Sequence, residues 1–233
     1  MSGNAGLHDL IGEAAFYEKI GLGHHNAFRR GQVCWTHICY AQENLQFWRP
    51  QGYEIEGTSA SSFGIVPAGK DRFNRSLPLA APKLATNEEF IVVRAKYRPV
   101  ILMAPAPANL GIAKGRGSAP LYRPLATVVP IFSLQDEKGA FKYPQPLIER
   151  VQKLMYPEYL YLPPDGAILT RHSFAKVCDV VTVYQPHLEL ADLVLCADAL
   201  SVLRGQLASL QTGRGEGDFG VYRALLMEQS AAT

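Results

Sequence analysis

Apolar and polar residues alternate in short runs over much of the chain, and these runs predict strands. Phe90 to Ala104 (FIVVRAKYRPVILMA) is the longest near-continuous apolar run. It predicts two strands, Phe90 to Ala95 and Pro99 to Ala104, around a basic turn at Lys96-Tyr97-Arg98. Leu125 to Phe132 (LATVVPIF) predicts another. β-branched runs bounded by Gly and Pro read as buried strands. Gly31 to Tyr40 predicts the opening strand. Its alternation sets Val33, Trp35, His37 and Cys39 on one face, and Cys34, Thr36, Ile38 and Tyr40 on the other. Tyr156 to Leu162 and Phe174 to Tyr184 predict later strands, with Trp35 expected in the core.

Helical spacing occurs at three places. Leu7, Leu10, Ile11, Ala14 and Tyr17 predict a helix over residues 4–20, stopped at Gly21. Leu147, Ile148, Val151, Leu154 and Met155 form one face of a helix with Pro146 in its first turn. Leu190, Leu193, Ala197, Leu200, Leu203 and Leu207 predict a terminal helix over 189–211, stopped at Gly213. Its apolar face exceeds what a small barrel covers, so part of it is expected at an interface. The fold class that follows is mainly β, a small barrel with accessory α-helices at the N- and C-termini. Residues 1–30 form the N-terminal helix and link, 31–213 the barrel domain and 214–233 a flexible C-terminal tail, with a short helix at Val221 to Gln229 as an option. Residues 51–86, rich in Ser, Gly, Pro and Ala, form an insertion between strands, and Pro105 to Pro120 a second mobile loop.

Composition narrows the classes. Hydrophobic residues make up 48% of the chain, enough for a real core. Net charge is only +2. Even so, Arg94, Lys96, Arg98, Lys114, Arg116 and Arg123 share one window without an acidic residue, which predicts a local basic patch. The four cysteines (Cys34, Cys39, Cys178, Cys196) show no disulfide framework and read as reduced core residues, pointing to the cytoplasm. No apolar stretch is long enough to span a bilayer, so no membrane contact is expected. No metal is expected either. Cys34 faces away from His37 and Cys39, and the adjacent His24 and His25 suit a loop better than a ligand set. No cofactor motif is present: Lys114 and Arg116 lie among glycines, but no GxxxxGK[ST] occurs.

Four segments, in order, resemble the PemK/MazF family of toxin-like endoribonucleases, which have an SH3-like barrel. Gly31-Gln32-Val33-Cys34-Trp35 is similar to the family's opening strand. Arg98-Pro99-Val100-Ile101-Leu102 resembles its Arg-Pro strand. Val128-Val129-Pro130-Ile131-Phe132-Ser133 resembles the strand ending in Pro-Ile-Thr-Ser, and Lys176 to Val183 with the following Leu-rich segment is similar to the late strand and C-terminal helix. The resemblance implies metal-independent cleavage of single-stranded RNA within a toxin–antitoxin type system, a homodimer, and an antitoxin partner. Arg98 and Ser133 are then the candidate catalytic residues, and Arg94, Lys96, Lys114 and Arg116 the candidate RNA-binding ones. A guanidinium suits the charge that builds on phosphate oxygens when a 2′-OH attacks. Phe132, however, stands where the family has Thr. The alternative is a catalytically degenerate barrel that binds nucleic acid or a protein without cutting.

Overall fold

The computed structural model describes residues 6–25, 27–40, 44–51, 62–76, 83–106, 124–215 and 217–231. The chain divides into two compact units. The larger comprises residues 1–36 and 97–233, and the smaller runs from His37 to Lys96.

The chain is mainly β, with a curled antiparallel half-barrel sheet and helices toward both ends. The sheet order is β1 (Tyr17–Glu18), β11 (Glu189–Leu195), β2 (Gln32–Cys39), β6 (Ala95–Ala104), β7 (Leu125–Ser133), β9 (Ser173–Lys176), β8 (Tyr159–Leu162), and β10 (Val181–Tyr184) also pairs with β7. One edge of β7 meets β10 as far as Val128 and β9 from Ile131 onward. Pro130, which has no N–H to donate, falls at that changeover. Gly31 ties three strands together. Its N–H donates to the Leu102 carbonyl and its carbonyl accepts from the Leu195 N–H. Its φ of +83° and the 3.3 Å between a built Cβ and Leu200 both demand glycine.

The core of this unit gathers Val33, Ile101, Val129, Ile131, Leu160, Leu162 and Leu193 under α3 (Ala197–Thr212). The Cys196 Sγ caps α3 by accepting from the Ala199 N–H at 3.4 Å. A smaller cluster forms where α2 (Gln145–Gln152) lays Ile148 and Val151 against Tyr161 and Phe174.

The structure corrects several expectations. The N-terminal helix is only α1 (Leu7–Ile11), because Gly12 at φ +91° breaks it before a 3-10 turn and β1. Residues 96–98 are no turn: β6 runs through them, pairing with β7 from Val100 onward. Residues 189–195 are strand β11, pairing with β2, and helix begins only at Ala197. Both spacings fit that leucine-rich segment, and the free edge of β2 decides it. Beyond Gly213, α4 (Gly217–Ala231) replaces the expected tail and packs on α3, with Phe219 and Leu226 fully buried. The apolar face that predicted a subunit contact is thus largely met within the chain. Trp35 is half-buried and stacks on Tyr97 at 5.4 Å, while Cys34 and Thr36 are buried. All four cysteines are free, but Cys39 and Cys178 are exposed rather than core.

The smaller unit is a three-stranded sheet, β4 (Phe63–Pro67), β3 (Gln46–Pro50), β5 (Ile91–Val92). Part of the span expected as an insertion loop is therefore strand. Phe47 is fully buried, and Arg49, Arg75, Asp71 and Glu89 form an ion network beside it.

Candidate functional site

The β6–β7 register pairs Val100 with Pro130, so two residues further on Arg98 stands opposite Phe132. The Arg98 guanidinium lies 4.2 Å from the Phe132 ring centroid, and the residue is 7% exposed. Phe132 in turn pairs with Phe174, the two rings being 5.7 Å apart and nearly parallel. A ladder of Arg98, Phe132 and Phe174 therefore crosses three strands. A cation over a ring in such a setting is worth ~0.5–2 kcal/mol. Arg98 was expected exposed in a groove; instead it is packed against an aromatic ring.

Ser133 points to the face opposite Phe132. Its Oγ donates to the Gln135 carbonyl at 2.7 Å and accepts from the Gln135 N–H at 3.1 Å. The hydroxyl thus closes a local turn, a common use of Ser at a strand end. Arg94 and Lys96 are exposed in the smaller unit, with Arg94 5.7 Å over the Tyr40 ring. Lys114 and Arg116, and the loop expected over 105–120 from residue 107 on, lie outside the described residues.

Sequence reasoning missed a cluster of titratable groups in the larger unit. His8 is buried and packs on the Tyr161 ring at 4.6 Å. Its Nε2 faces Asp9 and Glu13 at 3.7 and 3.9 Å. The Tyr161 hydroxyl is hydrogen-bonded to His172 Nδ1. Burial lowers the pKa of His8 against the pull of both carboxylates, and burial lowers that of His172. Burial pushes the Tyr161 phenol up to about 12, only partly offset by Gln152. The cluster therefore holds neutral imidazoles and a neutral phenol at neutral pH, groups able to pass protons. Its members are scattered over the chain, with no spacing that sequence inspection would detect.

Beside Phe174 opens an apolar groove of about 120 Å³, lined by Leu134, Tyr143, Leu147, Val151 and Tyr159. Among the described residues no group of three or more His, Cys, Asp or Glu converges as a metal site. No helix among them is long and apolar enough to cross a membrane. Comparison with family models, with characterised proteins and with solved structures finds no match to this chain.

Proposed function

We propose that this chain is a degenerate PemK/MazF-like barrel that binds single-stranded RNA without cutting it through Arg98 and Ser133. One observation carries the reading. The two positions where the resemblance sets its Arg and its Thr, 98 and 132, stand directly opposite on neighbouring strands. That adjacency supports the kinship. What fills the positions argues against cleavage, because a phenyl ring replaces the hydroxyl and the guanidinium lies on it. A donor that stabilises a phosphorane must reach the phosphate oxygens, and each such donor is worth on the order of 3 kcal/mol in rate. Here the donor is covered and the hydroxyl partner is missing.

The rival reading is a metal-independent endoribonuclease of a toxin–antitoxin system, homodimeric and held by an acidic antitoxin. The closeness of Ser133 to the Arg98–Phe132 pair along the strand favours it. The two readings separate on labelled single-stranded RNA incubated with the chain in the presence of a chelator. The binding module retains RNA on a filter with steep salt dependence and leaves it intact. The nuclease shortens RNA but spares DNA of the same sequence, which lacks the 2′-OH.

A further inference from the structure

The smaller unit carries a sheet face with no role in the Arg98 site. On β3, Gln46, Trp48 and Pro50 share that face, while Phe47 turns inward. Ile65 stands opposite Trp48 on β4, and the Trp48 N–H donates to the Phe90 carbonyl on the other side. A row of Ile65, Trp48 and Phe90 therefore crosses the sheet, exposed by 58%, 40% and 41%. Phe63 stacks nearly parallel on the Trp48 indole at 4.3 Å, and Phe90 meets it edge-on at 5.8 Å. Three rings are thus held outward on a backbone that pairing keeps rigid.

The charges of the same unit select the partner. Each acidic side chain among its described residues is engaged internally. Asp71 pairs with Arg49, Glu89 with Arg49 and Arg75, and Glu88 accepts from the Ala85 N–H. The exposed cations Lys70, Arg72, Lys83, Arg94 and Lys96 are left to dominate the surface field. Flat rings on a sheet, with a surplus of cations around them, are the chemistry that holds unpaired bases and their phosphates.

We infer that the exposed face of Trp48, Phe63 and Phe90 is a stacking platform for single-stranded RNA. This rests on the RNA-binding reading above and adds the site that holds the bases. Trp35→Phe leaves Trp48 as the sole tryptophan, since the chain has two. In that background a uridine 20-mer quenches Trp48 emission at the same concentrations that give binding by anisotropy. In the otherwise native chain Trp48→Ala and Phe90→Ala each weaken the RNA by about 10-fold, whereas Trp48→Phe, which keeps a ring, loses far less. Adding salt weakens the interaction in all of them.

RNA binding that persists unchanged in Trp48→Ala and Phe90→Ala, with no quenching, overturns the platform but leaves the RNA reading standing. Absence of any RNA binding overturns both. A Trp48 signal that follows protein concentration alone marks a contact between copies of the chain and likewise refutes the platform. So does capture of an acidic peptide in preference to RNA.

Discussion

Glu89 is the residue on which the smaller unit depends, and Glu89→Gln tests that directly. Its side chain is fully buried. Arg49 donates to it from Nη2 at 2.6 Å and Nε at 3.3 Å, and Arg75 from Nε at 3.2 Å. The bond to Glu89 is also the leading reason that the Arg49 guanidinium holds its proton more tightly than usual. Glutamine keeps the shape, removes the charge, and turns one acceptor oxygen into an N–H₂ facing donors. Two guanidiniums are then left close together with only Asp71, itself half-exposed, in compensation. Removing one partner from a buried ion pair costs about 3–5 kcal/mol. At about 0.05–0.15 kcal/mol per residue, a unit running from His37 to Lys96 holds on the order of 3–9 kcal/mol in all. The substitution therefore consumes much or all of that. The assay is hydrogen exchange with the larger unit as internal control. Amides of β3 lose protection by about 100-fold or more, while those of β7 change little. Unchanged protection across β3 and β4 refutes the view that this network holds the unit together.

Acid should weaken the larger unit through its histidines. Both folded pKa values lie below the ordinary 6.5, so above that value neither imidazole affects stability. As pH falls through 6.5 the unfolded chain takes up protons that the folded chain refuses, and stability drops until the folded values are reached. Each histidine contributes at most about 1.4 kcal/mol per pH unit. Thermal melts between pH 7.5 and 5 should show that fall, and His8→Gln should flatten it; an unchanged slope contradicts the buried neutral assignment. Phe219→Ala should cost about 3–5 kcal/mol in urea unfolding, because α4 then loses its main anchor on α3. Near-neutral behaviour means that α4 docks weakly. A disulfide-exchange reagent at pH 8 should titrate Cys39 and Cys178 quickly and leave Cys34 untouched, since burial raises the Cys34 thiol to about 12. Rapid reaction of all four thiols would show an open core.

How far the fold can be read from the sequence depends on the element. β2, β7 and α2 were legible because alternation or helical spacing there has one reading and the flanking Gly or Pro marks the ends. The segment 189–195 was not, because ELADLVL fits both periods and only the partner strand chooses. Lys96-Tyr97-Arg98 looked like a basic turn, yet its side chains stand on a continuous strand whose neighbours supply stacking for Arg98. At the site, sequence order suggested positions 98 and 132, and the register sets them side by side. Burial of the guanidinium depends on the Phe132 ring, which reads as a simple substitution until the strands are paired. The cluster of His8, Tyr161 and His172 and the ring row on the smaller unit arise wholly from pairing between distant strands and segments.

Cleavage of a labelled single-stranded RNA by the native chain and by Phe132→Thr, side by side and with a chelator present, tests the central claim most directly. The account predicts that the native chain binds this RNA in a salt-sensitive way and leaves it whole. Phe132→Thr frees the guanidinium and sets a hydroxyl beside it, so it should either leave RNA whole or cut it slowly, and in the latter case Arg98→Ala should abolish the cutting. Efficient cleavage by the native chain, lost by about 100-fold in Arg98→Ala, contradicts the account. It would mean that Arg98 leaves the Phe132 ring to reach the phosphate.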